Sequence, residues 1–146
     1  MSLLPFPPKI NFAIITATIA VGLDITFHSL FTEPMESFDY FSVKWLLGFF
    51  VTTIFLNWSL NIGRLLKNIP AVLIAAGSFS FLMSLYYRWW EFVSGIPYGI
   101  RPPDIVFIDR SDVLLFAGSW FLGHSLFYLT GIFVARRFSG IESELI

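Results

Sequence analysis

The sequence predicts an all-α membrane protein, a bundle of four transmembrane helices, on two observations. Apolar residues make up 56% of the 146 positions and charged residues only 13%, against roughly 25% charged in an average soluble domain. The apolar residues are gathered into four long stretches, each close to the roughly 20 residues that a helix needs to cross the hydrocarbon core. So short a chain could not bury that much apolar surface in its own interior, and we expect lipid to cover the rest.

The composition also excludes several classes of function. The net charge of −1 argues against nucleic acid as a partner, because nucleic-acid binders normally carry a basic patch or stripe. The absence of cysteine excludes disulfides, thiolate metal ligands, iron–sulfur clusters and a thiol nucleophile. We recognise no catalytic Ser-His-Asp set and no glycine-rich phosphate loop.

We predict a single transmembrane domain over residues 1–146, with spans at about residues 10–31, 42–62, 70–90 and 112–135. Prolines precede the first span because a proline cannot lie in a helix interior, and Pro70 suits the first turn of the third helix. Ser111 or Asp112 is the predicted N-cap of the fourth helix.

The distribution of lysine and arginine predicts the orientation. One side of the membrane would hold Lys9, Arg64, Lys67, Arg136 and Arg137, and the other would hold Lys44, Arg88, Arg101 and Arg110. Basic residues in short loops favour the cytoplasmic side. The small excess on the first side predicts a multi-pass protein of the cell membrane with both termini in the cytoplasm.

Three ionisable residues fall within predicted spans and more than two residues from a span end, where they are costly and suggest a functional role. Asp24 and His28 are four residues apart on the first span, so they share one helix face. The same face carries Ala17 and Ala20, and small residues allow a second helix to approach closely. We therefore predict that this face points into the bundle. His124 lies on the fourth span, and by the helix rise it should lie deeper than Asp24.

The Asp24–His28 pair has three interpretations. A carboxylate and an imidazole one turn apart can hold a metal ion, with copper or zinc as the candidates. The pair could instead hydrogen-bond and fix helices together, or His28 could reach water at the interface. A haem held between His28 and His124 is a further alternative, which their different depths disfavour.

The segment at residues 24–28 resembles the D-x-x-x-H segment of the C subunit of copper membrane monooxygenases, which oxidise ammonia or methane. The resemblance implies a copper site with Asp24 and His28 as ligands. The family's third ligand, a histidine, has no counterpart at residues 40–42, so the resemblance implies a degenerate or accessory relative. Asp39 or His124 would have to complete the metal shell.

The sequence therefore predicts a small integral membrane protein that serves as a subunit or accessory partner of a larger membrane complex. Its expected partners are membrane lipid and other membrane subunits. The rival hypothesis is a stand-alone membrane enzyme or a binder of sterol-like or lipid-like ligands, with an aromatic pocket inside the membrane and Asp24 and His28 as an acid–base pair.

Overall fold

The computed structural model describes residues 4–31, 38–59, 69–94 and 110–140, and each of these segments is built around one α-helix. The helices are α1 (Pro8–Phe31), α2 (Phe38–Ser59), α3 (Ile69–Ser94) and α4 (Arg110–Phe138). The predicted all-helical class and the four helices are confirmed. Among the described residues, two stretches are long and apolar enough to cross a membrane, Pro8–Phe27 and Ile69–Tyr86, and α2 has a shorter apolar stretch at Phe41–Asn57.

The helix ends follow from local sequence. α1 begins at Pro8 and α3 has Pro70 as its second residue, since proline is tolerated in a first turn where its missing N–H is not needed. α4 begins at Arg110, slightly before the predicted N-cap. It ends just before Gly140, whose φ of 80° is left-handed and favours glycine after a helix terminus.

Each helix packs against two neighbours, in the order α1, α2, α3, α4 and back to α1. α1 is antiparallel to α4, because Asp24 meets His124 whereas Asn11, more than three turns earlier, meets Ser139. It is antiparallel to α2 as well, since Asp24 contacts an early residue of that helix. The N-terminal half of α1 therefore lies beside the C-terminal halves of α2 and α4.

Polar side chains are unusually common in the interior of this bundle. The apolar core includes Phe12, Phe55, Phe79 and Met83. Interspersed with it, among the residues whose burial the structure describes, are eight buried polar or charged residues: Asn11, Thr16, Asp24, Lys44, Thr52, Ser80, His124 and Ser139. The outer surface is rich in large apolar side chains on all four helices, such as Leu30, Ile54, Phe81 and Phe133.

The predicted inward face of α1 is confirmed. Ala17, Ala20 and Asp24 are fully buried. A Cβ placed on Gly48 of α2 would lie 3.3 Å from Cα and Cβ of Ala17. Small residues on both helices thus bring the two backbones close together about two turns from Asp24.

Candidate functional site

Asp24 lies in the interior, among α1, α2 and α4, and each oxygen of its carboxylate has a basic neighbour. Nζ of Lys44 donates a hydrogen bond of 2.9 Å to Oδ2. Nε2 of His124 lies 3.0 Å from Oδ1, in an electrostatic contact that lacks the alignment of a hydrogen bond. None of the three side chains is more than 3% exposed. These three residues are called the charge cluster below.

The helix arrangement puts the three residues at one level. Asp24 lies about two turns before the end of α1 and Lys44 about two turns after the start of α2, so antiparallel packing places them side by side. His124 lies near the middle of α4. The long stem of Lys44 allows its ammonium group to cross the gap between the helices, and the carboxylate holds it inside the bundle.

The charges of the cluster balance to a large degree. The Asp24 carboxylate and the Lys44 ammonium form a neutral pair, and the His124 imidazole makes an electrostatic contact with the other carboxylate oxygen. A buried charge is tolerated only when it is paired and hydrogen-bonded, and removing one partner of such a pair typically costs about 3–5 kcal/mol. The arrangement is suited to holding three helices in one register.

This geometry favours ion pairing over a metal centre. A divalent ion at Asp24 would have to compete with the Lys44 ammonium for the same carboxylate, and two cations at that distance repel each other strongly in a low-dielectric interior. No group of three His, Asp or Glu side chains that could hold a metal lies in the part of the chain that the structure describes. Metal binding therefore stays a prediction of the sequence alone.

The structure brings together only part of the predicted site. Asp24 and His124 are in contact, so the expectation that they lie at different depths is wrong. α4 begins about two turns beyond the level at which α1 ends, and His124 in the middle of α4 is therefore level with Asp24. The side chains of His28 and Asp39 lie outside the described residues, and their predicted roles stay predictions.

Lys44 is the residue that the sequence analysis missed. It was counted as a basic residue of the outer side, but it lies within α2 and is fully buried. The sequence does contain a signal for this role. A lone lysine lies in the second turn of the largely apolar α2, and the preceding span contains an aspartate. A buried aspartate needs a cation, and Lys44 is the one whose helix packs beside it.

The chain matches no protein-family model, no curated protein and no solved structure. The copper site implied by the resemblance of residues 24–28 to the copper monooxygenase subunit accordingly stays a prediction.

A second polar contact crosses the bundle one turn from the charge cluster. The Tyr128 hydroxyl lies 2.9 Å from Oγ1 of Thr52, which itself donates to the Gly48 carbonyl at 2.7 Å. Because a threonine hydroxyl has one proton, Tyr128 must be the donor to Thr52. The Tyr128 ring also stacks on Phe79 with 5.0 Å between centroids. This contact ties α4 to both α2 and α3.

A hydroxyl pair adds a second contact between α3 and α4. Oγ of Ser80 on α3 donates to the Phe121 carbonyl at 3.1 Å and lies 2.7 Å from Oγ of Ser125. Because the single hydroxyl proton of Ser80 is donated to the Phe121 carbonyl, Ser125 is the donor to Ser80. The polar side chains inside the bundle thus serve mainly to connect helices, which is how such groups are used where the surroundings are apolar.

Proposed function

We propose that this chain is a four-span integral membrane protein that works as a non-catalytic subunit or accessory partner of a larger membrane complex. One observation carries the proposal: the charged side chains at the centre of the bundle bind one another, whereas the outside is apolar. A molecule built in this way would contact its partners through its apolar outer surface.

Membrane insertion of all four helices is supported by the exposed apolar side chains. Every helix has several of them, including Ile10 and Leu30 on α1, Phe50 and Ile54 on α2, Leu73 and Phe81 on α3, and Leu126 and Phe133 on α4. In water these side chains would form an apolar surface that monomeric soluble proteins rarely expose. Lipid, or a partner within the lipid, would cover them.

The non-catalytic role is supported by the inaccessibility of the charge cluster. Asp24, Lys44 and His124 are the buried Asp, Lys and His side chains among the described residues, and they are at most 3% exposed. An enzyme or ligand binder that used Asp24 would require an open path for its substrate to a carboxylate already bound by Lys44.

The orientation is supported by a corrected count of basic residues. Once Lys44 is removed from the outer side, three basic residues remain there against five on the side of the termini. The excess strengthens the assignment of both termini to the cytoplasm.

Cysteine labelling tests this topology, because the chain has no cysteine of its own. In intact cells, cysteines at Ser2 and Ser143 should resist an impermeant thiol reagent, and one at Ser94 should react. Reaction at only one terminus would mean an odd number of spans. Reaction at both termini with protection at Ser94 would invert the orientation.

Photo-crosslinking tests the role as a partner in a complex. A photoreactive side chain on the outward positions Phe50, Phe81 and Leu126 should give a discrete protein adduct from at least one helix face, because a subunit contacts its neighbour at fixed residues. The same group at the buried Phe79 should give only internal crosslinks. Lipid adducts alone at every outward position would rule out the proposed complex, and elemental analysis of the same preparation would detect any copper or zinc.

A further inference from the structure

Three basic residues lie together at one end of the α1–α4 pair. Lys9 is in the first turn of α1, and Arg136 and Arg137 are in the last turn of α4. The side-chain amide of Asn11 holds these two ends together: Nδ2 donates to the carbonyls of Leu4 and Phe6 at 3.0 and 2.7 Å and reaches the Ser139 carbonyl at 3.5 Å. We call the three basic residues the basic end.

The basic end has no internal counter-charge within the part of the chain that the structure describes. None of its three side chains forms an ion pair there. The acidic residues on α1 and α4 are Asp24 and Asp112. At about 1.5 Å per helical residue, they lie roughly 22 Å and 36 Å along the helices from the basic end.

Apolar side chains surround the basic end on the outside. On the hydrocarbon side of the basic residues, Ile10 follows Lys9 in α1 and is 41% exposed, and Phe133 lies one turn before Arg137 in α4 and is 68% exposed. Basic groups above exposed apolar ones match a molecule with an anionic head and apolar tails. Arginine also binds phosphate oxygens with two parallel hydrogen bonds.

We propose that the basic end binds the headgroup of an anionic phospholipid, whose acyl chains lie against Ile10 and Phe133. The inference rests on the proposed insertion of α1 and α4 in a membrane. The positive side chains then lie at headgroup level in the leaflet that normally holds the anionic lipids, where each lysine or arginine strengthens binding by about fivefold.

Spin-labelled lipids measure this preference directly. The purified chain is reconstituted in phosphatidylcholine vesicles with trace spin-labelled phosphatidylglycerol or phosphatidylcholine, and the motionally restricted fraction of each label gives their relative association. The wild-type chain should favour the anionic lipid by about tenfold at low salt, and the preference should fall at high salt.

The variants separate this site from general charge effects. The triple variant Lys9→Gln, Arg136→Gln and Arg137→Gln should lose most of the preference, whereas Arg110→Gln at the opposite end of α4 should keep it. Arg137→Gln alone, which changes one exposed side chain, should lose part of it and serves if the triple variant does not fold. Equal association in wild type and triple variant would overturn the proposal.

The sequence beyond α4 supplies one competitor for the basic end. Glu142 and Glu144 follow it in the chain, and a double Glu→Gln variant tests whether they neutralise it. A lipid preference that appears only in this variant would overturn the proposal for the wild-type chain. Failure of membrane insertion would appear differently, as the absence of any restricted lipid, including phosphatidylcholine.

Discussion

Replacing Asp24 by asparagine is expected to destabilise the helix bundle by about 3 kcal/mol. The change removes the anion between Lys44 and His124 and leaves an ammonium group buried beside an imidazole. A charged side chain inside a membrane protein costs about 2.5–3.5 kcal/mol when nothing compensates it. Lys44→Met should cost less, because the remaining carboxylate keeps the His124 imidazole as a neighbour.

The double variant Asp24→Asn with Lys44→Met is the decisive measurement. It removes both formal charges of the pair, so it should recover at least half of the stability that Asp24→Asn loses. Stability is read from unfolding of the detergent-solubilised protein by sodium dodecyl sulfate, followed by circular dichroism. Lys9→Met, which removes an exposed lysine, should stay within about 0.5 kcal/mol of the wild type. Strictly additive losses would show that Asp24 and Lys44 do not act as a pair.

The fold could be predicted from the sequence because its signals are local. Apolar stretches of about 20 residues define the four helices. Segments with prolines and charged residues separate these stretches from one another, and Pro8 and Pro70 mark two of the helix starts. The inward face of α1 was also predictable, since Ala17, Ala20 and Asp24 recur at helical spacing.

The partners of Asp24 could be predicted only in part, because they depend on helix register. The depths were predicted on the assumption that neighbouring helices begin and end at one level. α4 instead begins about two turns beyond the end of α1, and this offset brings His124 to the level of Asp24. Lys44 was missed for a different reason. A lysine near a span end usually extends to the interface, and only the antiparallel packing of α1 and α2 shows that it turns inward instead.

The closest backbone approach in the bundle gives the second large effect. A Cβ added to Gly131 of α4 would lie 2.5 Å from the Thr16 carbonyl oxygen and 3.2 Å from its carbonyl carbon and Cα. Backbone atoms cannot rotate away as a flexible side chain can, so α1 and α4 would have to separate. Gly131→Ala is therefore expected to destabilise the protein by about 2 kcal/mol, the usual cost of overpacking, even though alanine favours a helix more than glycine does.

Three matched variants test this explanation in the same unfolding assay. A Cβ at Gly118 or Gly123 of α4 would meet nothing within 4 Å, so alanine there should be neutral or stabilising by up to about 1 kcal/mol. Gly48→Ala should fall between these and Gly131→Ala, because its contacts with Ala17 and Phe79 are at 3.3 Å. Adding Thr16→Ala to Gly131→Ala should restore nothing, since the contact is with the carbonyl of Thr16. Rescue by that change would show that the side chain of Thr16, rather than the backbone, limits how closely α1 and α4 approach.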